Sequence, residues 1–295
     1  MKDNIKKFII GITYLLPALI ILGTFQIYPS IKVFLMSTYT EYNYIKHIVL
    51  KRGISNFINL FNDPNFIVAI KNTFILVVFI VPISIILSLF LSLLLYEKSA
   101  FRDFIRSIYF LPFITSTVAI SVVWRWIFNS KAGLMNYILS FIGINGIKWL
   151  TDPKWSMVAL VILSVWKTLG YNILILVTGL RSIDEKFYQA ARVDGANNWV
   201  ITRKITIPLL SPSLLFVSIT SMIGAFKVFQ EVYALFNKTP GPLKSCLTMV
   251  YYIYDKLMNH YSYGMAAAGS VVLFGFILLI TLIQWLISKR KVHYN

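Results

Sequence analysis

The stretch RSIDEKFYQAARVDGANNWVITRKITIP, residues 181–208, differs in character from the long apolar runs on either side of it. Asp184, Glu185 and Lys186 open it in the manner of a helix first turn. Phe187, Ala190, Ala191 and Val193 then give a short helix one apolar face. Asp194-Gly195 is a break, because glycine accepts backbone angles that other residues resist. A second short helix is expected over Trp199–Ile205, and Pro208 stands at a favourable early position of the next apolar run. The expectation is a helix–turn–helix lying parallel to a membrane surface. Ala190, Ala191, Gly195 and Ala196 are small enough for a partner to approach closely, and Arg192, Arg203 and Lys204 can pair with its acids. Two readings stay open: a docking surface for another protein, or an interfacial amphipathic loop with no partner.

The surroundings decide that a membrane is involved. Of 295 residues, 58% are hydrophobic and only 13% charged, against about 25% charged in a soluble domain. The net charge of +17 does not point to nucleic acid, because the basic residues lie between apolar runs instead of forming one patch. In that arrangement they anchor loops against anionic headgroups. Cys246 is the one cysteine, so no intrachain disulfide forms, and the three scattered histidines suggest no metal site.

A helix needs about 20 mostly apolar residues to cross the hydrocarbon core. Six stretches qualify, at about 8–28, 72–96, 107–128, 155–180, 208–235 and 264–287, so the expected fold is an all-α membrane protein with six transmembrane helices in a single domain over 1–295. The first stretch has a basic start but a long apolar run and no small-residue cleavage site, and reads as a retained helix. Basic residues are densest in the N-terminal tail, 97–106, 181–207 and the C-terminal tail, which places both termini and the 181–207 loop in the cytoplasm. Cys246 then falls in an outer loop, open to an impermeant thiol reagent unless that loop is packed.

Charge inside a span is costly and calls for a function or a partner. Lys167 lies near the middle of the fourth stretch and reads either as a solute contact or as half of an ion pair with an acid on a neighbouring helix or partner subunit. Lys227 and Glu231 are four apart in the fifth stretch and are expected to pair with each other on one helix face.

The residue 181–208 stretch also resembles the cytoplasmic signature loop of inner-membrane permeases of binding-protein-dependent ABC importers. The family pattern is Glu-Ala-Ala, three residues, Gly, nine residues, Ile-x-Leu-Pro; here Gln189-Ala190-Ala191, Gly195 and Ile205-Thr206-Ile207-Pro208 keep the spacing. Two positions depart, Gln189 for Glu and Ile207 for Leu; the first removes a carboxylate that can pair with a basic residue of the ATPase. YFLPFITSTVAISVVWRWIF (109–128), GLMNYIL (133–139), SVWKTLGYNILIL (164–176), AFKVFQEVYAL (225–235) and LTMVYYIYDKL (247–257) resemble the sugar branch of that family, the maltose and glycerol-phosphate type. KTPGP (238–242) is similar to its Gly-Gly-Pro loop, with Pro240 in place of Gly.

The resemblance implies the transmembrane domain of a type I ABC importer in a bacterial plasma membrane. It implies that Gln189, Ala190, Ala191, Arg192, Asp194, Gly195 and Ala196 couple to the ATPase. It implies a solute path at Ser164, Lys167, Thr168, Tyr171 and Asn172, with Ser221, Gly224, Ala225 and Val228; helix–helix packing explains small residues at the same places. The implied partners are a second, distinct permease, two ATPase subunits, an external solute-binding protein and membrane lipid. ATP and magnesium are expected on the ATPase, since this chain has no GxxxxGK[S/T] loop. The chain is then a translocation subunit and not an enzyme, and its cargo a sugar or a sugar-like solute. A secondary transporter or channel fits less well, because Glu231 is the one acid within the expected spans, and a membrane scaffold would not need the signature loop.

Overall fold

The computed structural model describes residues 2–43, 48–144 and 146–291. Its Cα positions group into two compact units, 1–63 with 253–274 and 64–252 with 275–295.

In the first unit, α1 (Lys2–Leu22) runs through a π-helical stretch, Gly23–Ile27, into α2 (Tyr28–Ser37). The unbroken apolar composition keeps one helix going through this change of pitch, so Ile10–Ser37 is long and apolar enough to cross a membrane. An antiparallel hairpin follows, β1 (Tyr39–Asn43) on β2 (Ile48–Arg52), with Tyr39 opposite Arg52 and Tyr42 opposite Val49. Its aromatic and β-branched residues favour pairing. The hairpin departs from the all-helical expectation. Next comes α3 (Ser55–Asn62), whose Asn56 amide donates to the carbonyls of Ser37 (3.0 Å) and Tyr39 (2.8 Å) and so ties the hairpin to the end of α2.

The second unit is built on α4 (Pro64–Leu95), which is longer than the expected 72–96. Ser84, Ser88 and Ser92 recur every fourth residue along it and are buried. Each hydroxyl donates to a carbonyl of its own helix, at 3.0, 3.1 and 2.8 Å. A small, self-satisfied stripe of this kind lets a neighbouring backbone come close.

The expected third span is not one straight helix. It is α5 (Ala100–Ile114) and α6 (Thr117–Ile127), bent by 102° at Thr115-Ser116. Pro112 cannot donate to the ladder, and Thr115 and Ser116 leave helical geometry. After α7 (Leu134–Ser140), the side chain of Asn136 gathers the loop before α8 by donating to Ser130 and Ile147 carbonyls and accepting from the Ile147 amide and the Trp149 indole.

The fourth expected span is α8 (Pro153–Arg181). Asp152 caps it, accepting from the amides of Lys154 and Trp155, and Pro153 occupies its first turn. Gly170 lies directly against the Tyr109–Phe110 backbone of α5. Gly179 lies against Ser213 and Leu210.

Two short helices follow, α9 (Glu185–Val193) and α10 (Asn198–Ile201), then a π turn at Thr202–Thr206, α11 (Ile207–Leu209) and α12 (Ser211–Phe226). The expected fifth span is therefore also broken. Asn198–Leu209 and Ser211–Phe226 meet at 67°, and a second break at Lys227–Phe229 precedes α13 (Gln230–Leu235). Pro208 and Pro212 withhold two helix donors around the bend. Finally α14 (Met249–Met258) leads to α15 (Tyr263–Lys291). Among the described residues four helices are thus long and apolar enough to span a bilayer: Ile10–Ser37, Pro64–Leu95, Pro153–Arg181 and Tyr263–Ser288; two bent pairs pass the same test only when joined.

Candidate functional site

The polar centre of α8 faces two helices that begin just after breaks. The Lys167 ammonium donates to Glu231 Oε1 at 2.9 Å and to Thr117 Oγ1 at 2.5 Å. Thr117 is the first residue of α6, and Glu231 stands in the first turn of α13. Lys167 is 17% and Glu231 13% exposed, so the pair is largely withdrawn from solvent. This overturns the expected Lys227–Glu231 pair. The break at Lys227–Phe229 ends α12 before Glu231, so the two residues no longer share a helix face, and Lys227 is left exposed. Alongside, Arg125 of α6 donates to the Ala234 carbonyl, a second tie between α6 and α13.

The other expected path residues separate into two groups. Tyr171 is half-buried and stacks on Phe113 of α5, ring centroids 4.8 Å apart, and Thr168 is half-buried with its hydroxyl turned back to the Ser164 and Val165 carbonyls. Gly224 is exposed, with open space where a Cβ would stand. By contrast Asn172 and Ser221 are buried against each other at 3.1 Å, tying α8 to α12. Ala225 and Val228 are buried, and the Val228 carbonyl accepts from Thr248 at 2.8 Å. Ser164 is buried too, and its hydroxyl has no hydrogen-bond partner. Thr117 and Phe113 were not foreseen; Glu231 as Lys167's partner was signalled by being the one acid within the expected spans.

At the other end of α8, Leu176, Leu180, Leu210 and Val217 form an apolar core, with Leu89, Leu93 and Ile183 packed on it. Arg181 donates to the Tyr96 carbonyl at 2.9 Å and lies 3.7 Å from Asp103, which Arg106 also pairs with. On this base stand the two short helices. Asp184 caps α9 through the Lys186 amide, and Asn197 caps α10 through the Val200 amide. Between them Gly195 adopts φ +75°, a left-handed angle, and the amide of Ala196 reaches back to the Ala191 carbonyl at 2.9 Å. That closure is why the turn takes glycine. Ala191 is buried inward and Ala196 half-buried, while Gln189, Ala190, Arg192, Asp194 and Gly195 face outward. Val193 (88% exposed) and Trp199 (71%) stand bare beside them.

Cys246 takes the packed alternative that the sequence left open. It is 0% exposed, and burial pushes its thiol up from 9.0 to about 12. The loop is packed by Gly241 against the cysteine and by bonds from the Asn72 amide to the Lys244 (3.0 Å) and Leu247 (3.1 Å) carbonyls.

Long apolar helices, one of which carries a buried polar pair and leads into a structured, outward-facing short-helix segment, mark the chain as an integral membrane protein. Residues 80–293 match the family described as binding-protein-dependent transport system inner membrane component, and the chain belongs to that family. It is 35% identical over 299 residues to the lactose transport system permease protein LacF of Rhizobium radiobacter, covering 98% of each chain. It is 33% identical over 274 residues to the arabinooligosaccharides transport system permease protein AraP of Bacillus subtilis, covering 90% of this chain and 83% of that one. A chain in the crystal structure of a bacterial alginate ABC transporter, in complex with an alginate pentasaccharide-bound periplasmic protein, superposes with a TM-score of 0.83 at 25% identity, covering 100% and 99%. The chain is accordingly a permease subunit of an ABC importer, a translocation component and not an enzyme.

Proposed function

We propose that this permease carries a carbohydrate or sugar-like solute, received from an external solute-binding protein and moved by a separate ATPase. The observation that carries the reading is the near-complete, 35% identical match to a lactose permease. The alginate importer neighbour, with its saccharide-loaded periplasmic protein, supports both the cargo class and the delivery. Counting each bent pair as one crossing gives six spans, so both termini and residues 181–207 share one side, and the basic residues concentrated there favour the cytoplasm. A second, homologous permease completes the pore, and two ATPase subunits bind ATP and magnesium.

In this reading α9, the Gly195 turn and α10 form the coupling segment. Gln189, Ala190, Arg192, Asp194 and Gly195 meet a groove of the ATPase, with Val193 and Trp199 as the apolar contacts, while Ala191 and Ala196 hold the turn. The solute meets the open side of α8 and α12, at Thr168, Tyr171 and Gly224; the Lys167–Glu231 pair, Ser164, Asn172, Ser221, Ala225 and Val228 shape the path from behind.

Gly195→Leu tests the coupling. A β-carbon at φ +75° costs about 1–2 kcal/mol in backbone strain, too little to unfold the chain, and the side chain projects into space that is empty in the isolated subunit. In the reconstituted importer, solute-stimulated ATP hydrolysis and uptake should both fall at least tenfold while the subunit still inserts. Gln189→Glu should leave both unchanged. Normal stimulation in Gly195→Leu would rule the docking role out.

A further inference from the structure

Between α4 and α8 lies an open groove of about 840 Å³, within the 300–1,000 Å³ range of sites that hold a whole small molecule. Its walls are apolar, among them Ile75, Phe79 and Ile83 of α4 and Val161 and Ile162 of α8. Phe79 is 52% exposed. The rim is different. Lys71, Lys154 and Lys244 all line it, all three are exposed, and no acid lines the groove among the described residues. Lys244 reaches Asn65 Oδ1 at 2.7 Å, and its ammonium keeps donors to spare.

The Lys244 end is built with some strain. Leu243 and Lys244 both have left-handed backbones, φ +50° and +60°, and the two Asn72 bonds described above hold the loop there. Such angles persist only where the surroundings enforce them, and they gather at ligand clamps. Here they set a cation at the rim and a bare Leu243 over the groove mouth. From Lys71 to Ile83 the groove runs about 18 Å along α4, at about 1.5 Å per residue, close to the roughly 15 Å depth of one leaflet.

We propose that this groove holds an acyl chain of an anionic glycerophospholipid, with the phosphodiester at Lys71, Lys154 and Lys244. Three unopposed cations above an apolar slot one leaflet deep match a lipid with a negative headgroup and do not match a zwitterionic lipid or a soluble anion. The inference needs only that the chain sits in a bilayer. It stands or falls independently of the carbohydrate reading.

The test uses the intact importer, delipidated in detergent and reloaded with dioleoyl phosphatidylglycerol or dioleoyl phosphatidylcholine, with retained lipid counted by native mass spectrometry. The wild type should keep phosphatidylglycerol at least tenfold better. Lys71→Gln/Lys154→Gln/Lys244→Gln should weaken that retention on the order of 100-fold, about fivefold per lysine, without changing phosphatidylcholine. Ile162→Trp, which fills the slot and leaves the rim intact, should reduce retention of both. Equal retention of the two lipids by the wild type would overturn the proposal. So would displacement by millimolar glycerol 3-phosphate, which would make the site one for a soluble phosphate. Quantitative cross-linking of Phe79→Cys to the second permease would also overturn it, since the groove would then be a subunit seam.

Discussion

Replacing Lys167 with methionine removes two bonds at once, to Glu231 at 2.9 Å and to Thr117 at 2.5 Å, and leaves a carboxylate that is 13% exposed without its cation. At an effective dielectric of about 20, two unit charges at that separation attract by roughly 6 kcal/mol before desolvation is subtracted. Breaking one side of a buried pair generally costs about 3–5 kcal/mol, because the remaining charge stays uncompensated. For a domain of this size each kcal/mol moves the unfolding midpoint by about 2–4 °C, so the loss is on the order of 10 °C. Thermal unfolding of the detergent-extracted complex reads this directly. Lys167→Met/Glu231→Gln should recover most of the midpoint, since no charge is then left unpaired, and the double-mutant cycle should give a coupling of at least about 2 kcal/mol. Uptake gives the second readout. If the pair is structural, the single variant loses assembly whatever the solute. Wild-type midpoint and assembly in Lys167→Met, with uptake of an acidic solute reduced more than that of a neutral one, would refute the structural assignment and return Lys167 to solute binding.

Cys246 should resist an impermeant maleimide in the folded importer and react fully once the chain is denatured in detergent. With its thiol raised from 9.0 to about 12, its thiolate fraction near pH 8 is about a thousandfold below that of a free cysteine. Rapid stoichiometric labelling at neutral pH would contradict the packed loop. Gly170→Ala should destabilise the subunit by about 1–3 kcal/mol or more, because a β-carbon there falls far inside the van der Waals contact distance to the Tyr109 carbonyl and α5 must move away from α8. An unchanged midpoint in that variant would mean that the two helices have room to spare.

Hydropathy places the long helices but not their ends: α8 and α15 contain the expected runs and α4 all but Tyr96, while the first span extends to Ser37, nine residues past the expected end at 28. It could not locate the bends, because composition is the same on both sides of a corner. Pro112, Pro208 and Pro212 stand near the bends, yet prolines are tolerated in membrane helices when neighbours satisfy the freed groups, and Pro17 and Pro82 lie inside α1 and α4 without ending them, so proline alone marks no corner. Nothing in Lys227-Val228-Phe229 announces the break after α12; a helical spacing argument therefore paired Lys227 with Glu231, and the true partner lies 64 positions earlier. The hairpin was hidden for another reason: a strand pair of five residues each is too short to stand out in what read as an outer loop. The first short helix and the Gly195 turn are legible, because Asp184 at the helix start and glycine at a left-handed angle are local chemistry; the second helix is not, since α10 ends at Ile201 and a π turn takes up the rest of the expected 199–205.

The corner at Thr115-Ser116 has a consequence for where oil can go. Both residues are exposed on the isolated chain, and the first amides of α6 have no preceding turn to bond to. Hydrocarbon cannot solvate such groups, at several kcal/mol each. The elbow must be wetted or covered by another polypeptide. Lipid tails are barred from the elbow itself, a narrow polar gap in a surface that is otherwise apolar, with Ile114 and Val118 exposed on either side of it.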